Sequence, residues 1–84
     1  MEVKVLGPGC PKCKKLYEEV QKAVAQAGLS GVSVRKVEAI ADIVAHGVMM
    51  TPALVVDGVV KSQGTIPESR EIAQWLTTAA AREG

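Results

Sequence analysis

The sequence predicts an α/β fold, in which a four-stranded mixed sheet has helices on both faces and the element order is β-α-β-α-β-β-α. The first observation behind this fold class is that the spacing of apolar residues alternates between strand and helix periods along the chain. The second is that the first strand, helix and second strand form a β-α-β unit, which should be parallel with a right-handed crossover. The third is an Asp-Gly pair that joins two antiparallel strands. The 84 residues provide one domain, residues 1–84, and leave no room for a second.

The first strand and the first helix are separated by a glycine-rich break. Alternation in Glu2–Leu6 predicts a strand with Val3 and Val5 on one face, and Gly7-Pro8-Gly9 ends it. A helix then begins at the cysteines, where Pro11 suits a first-turn position because its missing N–H has no partner there anyway. The buried face of this helix is an apolar stripe at helical spacing, formed by Leu16, Val20, Ala23, Val24 and Ala27.

A second strand and a shorter helix follow. Val32 and Val34 alternate with polar residues, which indicates a strand. The next helix is predicted over residues 39–46, and Gly47 stops it. The side chains that we expect this helix to bury are Ile40, Ile43 and Val44.

The last three elements are a hairpin and a helix. Ala53–Val56 is an unbroken apolar run, which is typical of a strand covered on both faces. Asp57-Gly58 is a strong signal for a two-residue turn, after which residues 59–61 return antiparallel. The final helix is predicted to begin near Thr65, which forms a capping box with Glu68. Its buried face carries Ile72, Trp75, Leu76 and Ala79.

Composition and charge exclude several classes of protein. An apolar fraction of 48% excludes an intrinsically disordered chain. A net charge of +1 provides no field that would collect nucleic acid or an anionic membrane, so we expect neither partner. The first residues do not form a signal peptide, and no apolar run approaches the roughly 18 residues of a membrane span. We therefore expect a cytoplasmic protein.

Both cysteines lie in one Cys10-Pro11-Lys12-Cys13 motif, at the junction of the first strand and the first helix. A disulfide across so short a gap hardly constrains the unfolded chain, so the pair is catalytic or metal-binding rather than a staple. The N–H groups and dipole at the helix start should lower the pKa of Cys10, and Lys12 adds positive charge that could tune the thiolate. Cys13 should lie on the same side of the first turn and be more buried. Thiol–disulfide exchange needs such an exposed nucleophile and sheltered resolving thiol.

This motif after a first strand, with Thr51-Pro52 and an apolar strand far downstream, resembles the thioredoxin superfamily. The resemblance is greatest to small, glutaredoxin-sized redox-active disulfide proteins of prokaryotes, and it covers nearly the whole chain. It implies a thiol–disulfide oxidoreductase in which Cys10 attacks a substrate disulfide and Cys13 displaces the reduced product. The expected partners are protein disulfides and a thioredoxin-reductase-like electron donor. We expect a monomer with no cofactor and no bound metal.

The resemblance also implies a substrate-binding surface around the cysteines. It implies that the Thr51–Pro52 bond is cis, that Pro52 lies against the disulfide, and that the Thr51 backbone is free to pair with an extended substrate. Met50, with its neighbour Met49, should form an apolar lip for partners, and Gly9 belongs to the same surface.

The resemblance further implies the strand order second–first–third–fourth, with the first and last helices on one face and the middle helix on the other. Lys4 should then point toward the middle helix near its edge, with its stem packed and its ammonium in water. Full-length thioredoxins have a buried acid at the position that Lys4 occupies, so the sequence does not identify a proton acceptor for Cys13. The segment at residues 63–66 matches the glutathione-holding segment of glutaredoxins poorly, which leaves glutathione dependence open.

Two alternatives stay open. One is a Cys-x-x-Cys copper or zinc carrier, although zinc prefers four ligands and the chain could add only His46 and carboxylates. Carriers of this kind have a methionine where this chain has Pro8, and they do not end in a helix. The other alternative is a non-catalytic interaction module that uses the surface from Met49 to Pro52. We expect His46 itself to be structural, because a helix end favours a cation.

Overall fold

The computed structural model describes residues 1–9 and 11–83. Its elements are β1 (Glu2–Leu6), α1 (Pro11–Ala27), β2 (Ser33–Val37), α2 (Ile40–Ala45), β3 (Ala53–Val56), β4 (Val59–Gln63) and α3 (Ser69–Glu83). The strands are ordered β2-β1-β3-β4, with β1 parallel to β2 and both other pairs antiparallel. The α/β fold class and the strand order are confirmed. Within the described part of the chain, every helix is too short or too polar to cross a membrane.

The sheet has a core on each face. The face covered by α1 and α3 has the larger cluster, made of Val3, Val5, Leu16, Val20, Ala23, Leu54, Val56, Ile72 and Leu76. The face covered by α2 has a smaller cluster, made of Leu6, Ile43, Val48, Ala53 and Val55. The strand β3 contributes alternate residues to the two clusters, which explains why all four of its residues are buried. Helices therefore lie on both faces, as predicted.

The β3–β4 turn is Asp57-Gly58, as the sequence predicted. Both residues have positive φ, 52° and 83°, which is the geometry of a tight turn whose twist matches that of the strands it joins. Val56 pairs with Val59 directly across this turn.

The start of α3 differs from the prediction. The helix begins at Ser69 rather than near Thr65, so the capping box was wrong. Pro67 explains the difference, because a proline disfavours helical backbone at the residue before it, here Ile66. The first turn is capped from another element instead: the Ser69 N–H donates to a Glu19 carboxylate oxygen on α1 at 3.0 Å.

The burial expected of α2 was only partly correct. Ile43 is buried, whereas Ile40 and Val44 are each 63% exposed. The helix has six residues, fewer than two turns, and it contacts the sheet through the one side chain at its centre. The flanking apolar residues of the stripe therefore remain in solvent.

Lys4 lies where the predicted register placed it, partly buried on the α2 face of β1. Its ammonium is 3.4 Å from a Glu2 carboxylate oxygen and 3.2 Å from Nε2 of His46. His46 is the C-cap of α2, and its Nδ1 donates to the Asp42 carbonyl at 2.7 Å, so Nε2 is free to accept from Lys4. The hydrogen bond from Lys4, with help from Arg35, holds the pKa of Glu2 below its usual value.

Candidate active site

The candidate site lies at the edge of the sheet where β1 ends and α1 begins. Cys10, the predicted nucleophile, is outside the described residues. Cys13 is in the first turn of α1 and is only 5% exposed, as expected of a resolving thiol. Lys12, expected to tune the thiolate, is exposed on the same turn. Its side chain is therefore in solvent.

Gly7 allows Cys13 to approach the sheet. A β-carbon on residue 7 would overlap the Cys13 sulfur, and it would lie 3.2 Å from Cys13 Cβ and 3.9 Å from Pro52 Cα. The Gly7 N–H donates to the Val37 carbonyl at 2.9 Å, so the backbone cannot easily move away. Cys13 and Pro52 thus both lie beside residue 7, and the Cys13 sulfur leaves room there only for glycine. The sequence pattern alone had indicated only that Gly7 belongs to a strand-ending break.

Pro52 and Thr51 lie next to this point. The Thr51–Pro52 peptide bond is cis, as expected. Pro52 is fully buried, and its carbonyl accepts a hydrogen bond from the Gly64 N–H at 2.8 Å. Thr51 is exposed and precedes Ala53, the first β3 residue that pairs with β1 and β4. The backbone of Thr51 therefore lies just beyond the paired part of the sheet.

The two methionines before Thr51 form an exposed apolar surface. Met49 is 94% exposed and Met50 is 60% exposed. The Met50 side chain lies over Gly64, where an added β-carbon would be 2.8 Å from its terminal methyl group. The Met49 N–H donates to the Gln63 side-chain oxygen at 3.0 Å, which ties this segment to β4. The exposure agrees with the predicted apolar lip.

A cavity of about 220 Å³ opens beside Cys13. Its walls are formed by Val5, Gly7, Pro8, Gly9, Cys13, Lys14, Lys36 and Glu38. A carboxylate oxygen of Glu38 lies 3.3 Å from where a β-carbon on Gly9 would be, so this acid borders the link to the cysteines. The Lys36 ammonium lies 4.4 Å from the centre of the Tyr17 ring. The structure thus brings Gly9 and Cys13 together with three charged side chains.

Sequence reasoning missed Glu38 and Lys36. A signal for Glu38 was present. The strands β1 and β2 are parallel, with Leu6 opposite Val37, so both end at the same edge of the sheet. The residue that follows β2 must therefore lie near the cysteine motif that follows β1. Residues at the carboxyl ends of parallel strands commonly form binding and catalytic sites.

The metal-carrier alternative gains no further ligands from the residues that the structure describes. The described residues contain no group of three or more His, Cys, Asp or Glu side chains placed to hold a metal ion. His46 lies instead on the α2 face, where it contacts Lys4.

The chain is similar to known proteins along most of its length. Residues 1–77 match the model of a thioredoxin domain family. A thioredoxin of Methanocaldococcus jannaschii is 35% identical over 74 residues, which cover 88% of this chain and 84% of that protein. A thioredoxin of Methanothermobacter thermautotrophicus is 29% identical over 77 residues, covering 92% of this chain and 99% of that protein.

Proposed function

The chain belongs to the thioredoxin domain family, and we propose that it is a thiol–disulfide oxidoreductase that reduces or exchanges protein disulfides through Cys10 and Cys13. One observation carries the proposal. The Cys13 sulfur is buried against Gly7, next to Pro52, in the helix turn that directly follows Cys10 in sequence. A sheltered thiol at a helix start beside an exposed backbone segment suits a resolving cysteine.

The proposed reaction transfers two electrons from the dithiol to the substrate. The Cys10 thiolate attacks one sulfur of a substrate disulfide, and the other substrate sulfur leaves as a thiolate that takes up a proton. The Cys13 thiol then loses its proton and attacks the Cys10 sulfur. The second substrate sulfur leaves, and a Cys10–Cys13 disulfide remains. A thioredoxin-reductase-like donor returns two electrons and two protons to the pair.

The surface around the cysteines would hold the substrate. In this proposal the exposed Thr51 backbone pairs with an extended substrate segment, which gives affinity through main-chain bonds and little sequence selectivity. Pro52 and Gly9 border the position of the reacting sulfurs. Met50 provides an adaptable apolar contact beside them.

Three measurements on one sample test the function: a thiol titration before and after dithiothreitol, a metal determination, and an insulin disulfide reduction assay. We expect a reversible change of two thiols, no stoichiometric metal, and turnover. Stoichiometric metal without turnover would instead support the carrier. If the sample shows neither bound metal nor turnover, the result would support the non-catalytic interaction module. Recycling by thioredoxin reductase with NADPH, compared with glutathione and its reductase, would then identify the electron donor.

Single-cysteine variants separate the two roles. Cys10→Ser should abolish disulfide reduction, because no nucleophile remains at the exposed position. In the Cys13→Ser variant, Cys10 should still attack the substrate disulfide, but the reaction should stop at the mixed disulfide. Mass spectrometry detects this species as a covalent adduct. Accumulation of that adduct on Cys10→Ser instead would reverse the assignment.

The proposed role of Lys12 has a matched control on the same helix. Lys12→Gln should raise the pH at which Cys10 reacts with iodoacetamide, since a neighbouring cation favours the thiolate. Lys15→Gln removes the same charge from an exposed position further along α1 and should shift the profile less. Equal shifts of the pH profile in the two variants would mean that Lys12 acts only through general surface charge.

A further inference from the structure

The cavity beside Cys13 contains an acid that the proposed reaction has not used. Among the described residues that line it, Glu38 alone carries a carboxylate. The other ionisable groups there are the Cys13 thiol and the ammonium groups of Lys14 and Lys36. An ammonium group has three donors and no acceptor, so neither of these groups can accept a further proton.

The proposed reaction requires a proton acceptor at this place. Cys13 must lose its proton before it can attack the mixed disulfide, because the thiolate is the nucleophile. Its side chain is nearly closed off from bulk water. Lys4 cannot serve, since it is a cation and lies on the opposite, α2 face of the sheet against Glu2 and His46.

The backbone holds Glu38 at the cavity. Its neighbour Val37 is opposite Leu6 in the parallel pair, and the Val37 carbonyl accepts from the Gly7 N–H at 2.9 Å. These contacts keep the end of β2 against the link that leads to the cysteines. Within residues 1–9 and 11–83, no ion pair engages the Glu38 carboxylate, which leaves its oxygens available to water.

The cavity is large enough and polar enough to contain water. A water molecule occupies about 30 Å³ in the liquid, so a volume of about 220 Å³ accommodates several. A carboxylate, two ammonium groups and a thiol provide partners for such waters. A general base can take a proton through a bridging water as well as by direct contact.

We propose that Glu38 accepts the proton of Cys13, through water in this cavity, at the step in which Cys13 resolves the mixed disulfide; the proposal rests on the oxidoreductase function above. The S–H bond of Cys13 breaks, and its proton passes to a water that gives one of its own to Glu38. The Cys13–Cys10 bond forms as the bond from Cys10 to the substrate sulfur breaks. That sulfur leaves with the electron pair and takes a proton from Glu38 or solvent. The substrate disulfide is the only oxidant.

The test separates the two chemical steps with a chromogenic disulfide, dithiobis-nitrobenzoate. In stopped flow, attack by Cys10 releases the first nitrothiobenzoate and attack by Cys13 releases the second. Near pH 7 we expect Glu38→Gln to slow the second release about a hundredfold, the lower end of the range typical of general-base effects. The first release should stay within about twofold. The second-release rates of the variant and the unaltered protein should converge above about pH 9, where thiols ionise unaided.

Two further variants distinguish a carboxylate acting at this position from a change in surface charge or in folding. Glu38→Asp keeps a carboxylate and should restore part of the second-release rate. Glu18→Gln removes an exposed carboxylate from α1 and should leave both phases unchanged. Denaturant unfolding of Glu38→Gln should match that of the unaltered protein, because the position is exposed.

Each contrary result has a distinct meaning. An unchanged pH profile for the second release in Glu38→Gln would overturn the role of Glu38 and leave the oxidoreductase function intact. Equal slowing of both releases at every pH, or the same effect in Glu18→Gln, would overturn it as well. If the reduced, unaltered protein releases no nitrothiobenzoate, both the proposed oxidoreductase function and the role of Glu38 are overturned.

Discussion

The two faces of the sheet differ in how firmly they are packed. The α1–α3 face buries two long helices against the central strands, whereas the α2 face has a helix of six residues with two exposed apolar side chains. Cys13 belongs to α1, on the firmly packed face. The segment from Met49 to Thr51 follows α2 in the chain, and both of its methionines are exposed.

This difference separates two requirements of a disulfide exchange protein. A resolving thiol must stay within reach of its partner sulfur, and a well-packed helix fixes it there. A surface that accepts different substrates must adapt, and segments with few buried contacts have lower local stability. The fold therefore places the buried thiol on a well-packed helix and the exposed methionines in the segment that follows the lightly packed α2, and Pro52, directly after that segment, lies beside Gly7 as Cys13 does.

The largest expected effect tests the unequal packing directly. Leu16→Ala, in the α1–α3 core, should lower the free energy of unfolding by about 3–4 kcal/mol. Ile43→Ala should lower it by about 2 kcal/mol, because the thin α2 layer can relax into the space. Ile40→Ala, at an exposed position, should stay within about 0.5 kcal/mol. Denaturant unfolding measures all three, and equal losses for Leu16 and Ile43 would contradict the comparison.

The free energy of unfolding should be nearly as sensitive to substitution at Gly7, where the Cys13 sulfur approaches the backbone. Gly7→Ala should lower the free energy of unfolding by about 2 kcal/mol, because its methyl group must displace the Cys13 sulfur. Gly31→Ala is a useful control, since its surroundings are open and only its positive φ of 73° is unfavourable, which amounts to about 1 kcal/mol. If Gly31→Ala is the more destabilising of the two, the close approach at Gly7 is not a constraint.

A smaller effect is expected at the adaptable surface. Met50→Ser should raise KM for a protein disulfide about threefold to tenfold with little change in kcat, since partial burial of one apolar side chain is worth about 1 kcal/mol. Ile40→Ser removes an apolar side chain of similar exposure from α2 and is the matched control. Steady-state insulin reduction distinguishes them. An equal rise in both would mean that general surface hydrophobicity, rather than the segment beside Pro52, sets KM.

The smallest effect concerns the polar contacts on the α2 face. The pKa of Glu2 is lowered in the folded protein, so its contribution to stability is present above the unfolded value of 4.5 and is lost as pH falls through the folded value. Glu2→Gln should therefore make the acid loss of stability shallower below about pH 5. Denaturant midpoints measured at a series of pH values below about pH 5 test this difference in slope, and Glu18→Gln is the control. High salt should shrink the difference, because surface pairs are screened.

Much of the fold could be predicted from the sequence, because period and turn chemistry are local signals. The strand at Ala53–Val56 and the turn at Asp57-Gly58 both followed from such patterns. The start of α3 could not be predicted from the capping pattern at Thr65, because the nearby Pro67 outweighed it and a carboxylate from α1 provided the cap.

The site was predicted less completely, because its remaining parts come from separate strands. The spacing of the cysteines predicts the dithiol, whereas Glu38 is a neighbour of Cys13 at the cavity only through the parallel register of β1 and β2. Gly7 was recognised as a break, whereas its tight contact with Cys13 depends on how closely α1 approaches the sheet. Neither property has a local signature in the chain.

The register of β1 also has a consequence for the order of folding. This strand lies inside the sheet and is made first, and its parallel neighbour β2 is complete once Val37 has been added. Its other neighbour, β3, ends at Val56, so one side of β1 has no partner until that later strand has been made. The β-α-β unit can close early, since its contacts are nearer in sequence. During synthesis the open side of β1 is therefore a strand edge that another chain could pair with before β3 arrives.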